Sequence, residues 1–170
     1  MTELYLQLAL GTMNFIHLLG TTLWIGGMFV NRLIFLPSVR EGLEPNDIGK
    51  LMSLVMKRFR ITAYASIVLL TITGISMTLF NNSYSGLLVF ENTWSIILFL
   101  KHAEILVLVL LAIYSFEVLA PKVARVATKG PSPELTSLQN TQMRLATVGI
   151  ISGLVILLLT GLATAVTMLG

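Results

Sequence analysis

Long apolar runs alternate with short polar stretches along the whole chain. Four runs, at about 8–36, 61–80, 94–119 and 146–168, reach the roughly 20 residues that a bilayer-spanning helix needs. None shows the period-two alternation of a half-buried strand, so each reads as a helix. The first run is long enough to tilt, or to extend past the bilayer near Pro37. In the linker that follows, "DIGKLMSLVMKRF" places apolar residues at 48, 51, 54, 55 and 59. That spacing predicts a helix with Asp47 as its N-cap, either extending the second span or lying on the membrane surface. "KGPSPEL", 129–135, carries two prolines and predicts a loop. The expected fold is an all-α integral membrane protein, a four-transmembrane-helix bundle forming a single membrane domain over residues 1–170.

Composition supports this class. The chain is 55% hydrophobic and 11% charged, against about 25% charged in soluble domains. It has no cysteine, which excludes disulfides, thiolate metal sites and iron–sulfur clusters. The first apolar run lacks a basic flank and exceeds the length of a signal peptide, so the first helix is expected to be retained.

Charge sets an orientation. Arg40, Lys50, Lys57, Arg58 and Arg60 fall in linker 37–60, and Lys122, Arg125, Lys129 and Arg144 in linker 120–145. The segment 81–93 and both tails have no Lys or Arg. Both basic linkers are therefore expected to be cytoplasmic, with the termini and the 81–93 loop outside. This is the pattern of a multi-pass protein of the cell's inner (cytoplasmic) membrane. Its main partner is the lipid bilayer, and nothing points to nucleic acid. Arg32 lies near the inner end of the first helix, where it pairs with Glu117 or snorkels. Lys101 is the one cation well inside a span.

The chain has two histidines, His17 and His102, each inside a predicted span. His17 is about nine residues past the outer end of its run and His102 about eight past its own. Both then lie roughly 12–14 Å below the outer boundary, at one depth. Two imidazoles at one level on two parallel helices suit axial ligation of haem iron. The bland alternative is that each hydrogen-bonds between helices. Zinc fits poorly, because it takes four ligands. Copper is the other metal option, with Met13 one turn from His17 as a soft ligand. The usual four-helix dihaem arrangement would need four histidines. Around His17, "HLLGTTLWIGG" places Gly20, Thr21 and Trp24 on or near its face. Glycine would admit a porphyrin edge and Trp24 would pack against it. Close helix packing is an equal reading for Gly20 and the preferred one for Gly26 and Gly27. Lys101 and Glu104, three positions apart, either neutralise each other or leave Lys101 to reach a haem propionate or an anionic substrate.

There is an internal echo. Adding 85, half the chain length, to 17 gives 102, and "TGISMT" at 73–78 is echoed by "TGLATA" at 160–165. The chain then reads as two duplicated helical hairpins, each contributing one histidine.

"IHLLGTTLWIGGMFVNRLIFLP" resembles the first helix of the CopD-type membrane domain and of HemJ-type proteins. "WSIILFLKHAEILVLVLLAIY" resembles their third helix, including a lysine at the Lys101 position, and Thr73-Gly74 fits the second. The resemblance covers most of residues 14–115. It implies copper uptake or resistance on the CopD side. On the HemJ side it implies protoporphyrinogen oxidation with haem b bound through His17. The chain differs from HemJ at Asn31-Arg32, where that family has Pro-Arg. The combined expectation is a b-type membrane cytochrome with one haem b per chain, held by His17 and His102, in electron transfer or haem-based oxidoreduction. The cofactor-binding set is His17, His102, Gly20, Thr21, Trp24 and Lys101. No catalytic residue is assigned. The expected electron partner is a quinone, a porphyrinogen or a redox partner subunit. Self-association into an oligomer is compatible with all of this, and copper transport is the alternative.

Overall fold

The computed structural model describes residues 2–81, 84, 86 and 88–169. Among these residues, four helices are long and apolar enough to cross a membrane: α1 (Glu3–Gly42), α2 (Pro45–Leu79), α3 (Thr93–Ala127) and α4 (Pro133–Leu169). The protein is all-α, as the unbroken apolar runs require. The helices group as two antiparallel hairpins, α1–α2 and α3–α4, in the compact units Met1–Tyr84 and Ser85–Gly170.

The helices outrun the apolar segments. At 1.5 Å per residue, the 40 residues of α1 reach about 60 Å, twice a ~30 Å hydrocarbon core. The linker from Pro45 to Arg60 is accordingly helical, because its apolar spacing simply continues α2. Asp47 is not the N-cap expected of it. Glu44 is the extended residue before the helix, Pro45 occupies the first helical turn, and Asp47 follows inside that turn. The loop expected at 129–135 is also shorter. Gly130 takes φ +93°, a conformation that disfavours other residues, and ends α3. The Ser132 hydroxyl then accepts the Leu135 N–H at 3.2 Å, so Pro133 opens α4. At the other turn, Asn92 caps α3 by accepting the Ser95 N–H at 2.8 Å.

Pro37 was expected near the end of the first helix, yet α1 passes through it, and α3 passes through Pro121. A proline inside a helix lacks an N–H donor, and its ring collides with the carbonyl four residues back. Both helices meet this in one way. A six-residue π-helical segment precedes each proline, Val30–Phe35 before Pro37 and Tyr114–Leu119 before Pro121. Bonding from i to i+5 moves the carbonyls of Leu33 and Glu117 out of the ring's path. A second π-helical segment, Thr22–Gly26, occurs in α1.

The burial pattern is that of a protein dissolved in lipid. Phe15, Leu33, Ile72, Leu106 and Leu158 are exposed, while Ala63, Ser66, Thr73 and Ser152 are buried. Lipid tails are as apolar as leucine, so these helices associate through close packing by small residues. Hydroxyls without water turn inward. Thr22 donates to the Leu18 carbonyl, Ser76 to Ile72 and Thr147 to Met143.

Candidate functional site

In the first hairpin, the α1–α2 seam is a run of small residues and polar side chains. A Cβ on Gly20 would lie 3.2 Å from Leu70 Cγ, and one on Gly27 only 2.6 Å from Phe59 Cε2. Gly20 therefore serves helix packing, and the space beside it is filled by Leu70. The close approach brings α2 within reach of His17. His17 Nδ1 lies 2.8 Å from Thr73 Oγ1, and Gly74 lies against the ring, with a Cβ there 3.3 Å from Cε1.

This network assigns a tautomer. Thr73 Oγ1 is also 2.7 Å from the Leu69 carbonyl oxygen, which can only accept. The hydroxyl has one proton and gives it to Leu69, so it accepts from His17 Nδ1–H. In the neutral ring, Nε2 then carries the lone pair, the form in which imidazole ligates a metal. A hydrogen bond at the far nitrogen is how a ligand histidine is oriented, although a carboxylate, carbonyl or water is the usual partner.

Thr21 Oγ1 donates to the His17 carbonyl at 2.9 Å, and Trp24 is buried at 3% exposure. One turn further along α1, a cavity of about 190 Å³ is lined by Gly27, Val30, Asn31, Phe35, Val55 and Phe59. Asn31 Nδ2 donates to Met56 Sδ at 3.7 Å, while Asn31 Oδ1 and Ser66 Oγ are buried without a hydrogen-bond partner.

In the second hairpin, His102 is exposed and bonds to its own helix. Its Nδ1 is 2.7 Å from the Leu98 carbonyl oxygen. A carbonyl only accepts, so His102 also holds the proton on Nδ1 and the lone pair on Nε2. Lys101 and Glu104 beside it are half-buried. Among the described residues they form no ion pair with each other within 4.0 Å.

The π-helical segments give the two histidines a common reference. His17 lies 13 residues before Val30, and His102 lies 12 before Tyr114. The extra π-helical segment Thr22–Gly26 falls inside the longer interval, and α3 has no counterpart among the described residues. A single π turn takes up about one residue relative to α-helix. The extra residue is thereby absorbed, and each histidine holds the same angular position relative to the π segment that precedes its proline.

No family model, curated protein or solved structure matches this chain. The site is therefore argued from its own chemistry. Among the described residues no group of three His, Asp or Glu side chains could hold a bare metal ion. Met13, the soft ligand considered for copper, is half-buried on α1.

Thr73 and Gly74 are the neighbours of His17 that sequence reasoning did not connect to it. They stood out as half of a repeated dipeptide, and neither was assigned to a site. A threonine that can satisfy its own proton on its helix is free to accept from a histidine, and the adjoining glycine makes room for the ring.

Proposed function

We propose that this chain is a b-type cytochrome of the inner (cytoplasmic) membrane that holds one haem b through Nε2 of His17 and Nε2 of His102. The observation that carries the reading is the tautomer of both rings. Each has its Nδ1 bonded to an oxygen, on Thr73 or Leu98, the kind of hydrogen bond that orients a ligand histidine. The donor set fits haem iron, which takes one axial imidazole from each face. Among the described residues there is no cluster of the three or four ligands that a bare ion prefers.

Bound haem supplies one-electron redox chemistry. The chain's own residues do the rest. Thr73 holds the His17 ring at Nδ1. Gly74 keeps the ring close to α2. The exposed apolar faces of α1 to α4 place the site in a medium of low dielectric constant, which disfavours a net charge on iron. Lys101 offers a cation one residue from His102, suited to a propionate or an anionic substrate. Bis-histidine ligation suits electron transfer to or from a membrane quinone, a porphyrinogen or a partner subunit. The basic linkers 37–60 and 120–145 face the cytoplasm on this reading.

The test is the visible spectrum of the protein purified in mild detergent and reduced with dithionite. Sharp α and β bands that disappear in His17→Ala support the reading. A colourless protein that retains copper would move the site to His17 and Met13.

A further inference from the structure

We infer that the cavity between α1 and α2 at Asn31 binds a single six-membered ring carrying a hydroxyl group, of the phenol or quinol class. The site lies wholly within the first hairpin and does not rest on the haem reading.

Volume sets the size of the occupant. The cavity measures about 190 Å³. An apolar protein cavity of about 150 Å³ stays dry and takes up benzene. This one therefore has room for one ring and a small substituent. Its walls are Gly27, Val30, Asn31 and Phe35 from α1, and Val55 and Phe59 from α2. Of these side chains only Asn31 is polar, and a bound water needs two to four polar partners. Phe35 and Phe59 suit an aromatic occupant, because rings pack well edge-to-face or offset. Gly27 lets Phe59 come close to α1, since a Cβ there would stand 2.6 Å from Phe59 Cε2.

Asn31 sets the chemistry. Its Oδ1 is buried without a hydrogen-bond partner, which is a costly state for an amide oxygen. Its Nδ2 donates to Met56 Sδ at 3.7 Å, and a thioether is a weak acceptor. The terminal torsion of asparagine is broad, so the amide turns toward the cavity at little cost. Turning puts only the weak sulfur bond at stake and gives Oδ1 a donor. An unpartnered acceptor calls for an O–H, which a ring hydroxyl supplies and a hydrocarbon does not. Val30, Asn31 and Phe35 also belong to the π-helical segment before Pro37, and single π turns recur at functional sites.

The probes are para-fluorophenol and para-fluorotoluene, alike in shape and different in the hydroxyl, followed by fluorine NMR on the full chain in detergent. Both should bind the wild-type protein saturably. In Asn31→Leu, the affinity for the phenol relative to the toluene should fall about 3- to 10-fold, as expected for one neutral hydrogen bond. The ratio of the two probes cancels their partition into micelles. Val55→Phe should fill the cavity and abolish saturable binding of both, with helical content and elution volume unchanged. The wild-type protein gives a readout that needs no variant. Nuclear Overhauser contacts from the bound phenol should reach the ring protons of Phe35 and Phe59. Displacement by a benzoquinol with a decyl tail would place the natural occupant in the membrane, and displacement by tail-free hydroquinone alone would make it a soluble phenol. Absence of saturable binding, contacts to other aromatic rings instead, or an equal loss of both probes in Asn31→Leu overturns the inference. A protein that takes up no haem yet binds the phenol in this way leaves it standing while the haem reading falls.

Discussion

In the α1–α2 hairpin, the histidine is bonded across the seam to a buried threonine and lies against a glycine. In the α3–α4 hairpin, the corresponding histidine is exposed and bonded to its own backbone, and the glycine of the corresponding Thr-Gly pair faces open space. The two hairpins share much else. Each opens with a long helix that carries a histidine, then a six-residue π segment, then a proline two residues later. The contrast shows that one backbone plan can serve two purposes. Where the neighbouring helix comes close, the histidine becomes part of the packing. In the second hairpin, the histidine is bonded to its own helix instead.

The comparison can be broken most severely by removing each imidazole in turn. On the haem reading, His17→Ala and His102→Ala should each abolish the six-coordinate spectrum, read from the Soret region. Next comes the hydrogen bond. Thr73→Val should lower haem affinity by about 10- to 100-fold in a haem-transfer assay. Thr160→Val should leave affinity unchanged, since no histidine hydrogen bond to it is found among the described residues. The glycines follow. Gly74→Ala places a methyl group 3.3 Å from His17 Cε1, so the ring must give by a few tenths of an ångström. A shifted midpoint potential should register that movement, whereas Gly161→Ala meets open space and should leave the potential alone.

The smallest effect concerns the seam itself. Gly27→Ala brings a Cβ to 2.6 Å from Phe59 Cε2, and the overpacking should cost about 1–3 kcal/mol in detergent unfolding. Gly26→Ala, whose nearest neighbour would be Thr22 Cγ2 at 3.9 Å, should be neutral. Equal losses in the two variants would mean that the α1–α2 approach is not set at Gly27.

Much of the fold was legible in the chain because lipid imposes a simple rule. An apolar run of spanning length must satisfy its backbone internally, so 61–80 and 94–119 could only be helices. The apolar spacing from 48 to 59 showed a helix but left open whether it continued α2 or lay on the membrane surface, and the structure continues it as one helix from Pro45. The passage of α1 through Pro37 was not. Sequence treats proline as a stop, and only the backbone shows that a π turn opens enough room for the ring. The same device hid a second fact. The 85-residue offset between the histidines and the 84-residue offset between Pro37 and Pro121 look inconsistent in the sequence. They agree once the π turn at Thr22–Gly26 is known to absorb one residue. Within the site, His17 and His102 were evident as two ionisable groups in apolar surroundings. The partner of His17 was not evident, because a threonine 56 positions away gives no local signal. Gly20 was an even choice between cofactor and packing, and the contact with Leu70 favours packing.

The most direct test of the central claim is low-temperature electron paramagnetic resonance of the oxidised, purified protein. The proposed function predicts a low-spin ferric signal typical of two imidazole ligands, lost in both His17→Ala and His102→Ala. A protein with no haem signal, or one whose low-spin signal survives both substitutions, would contradict it.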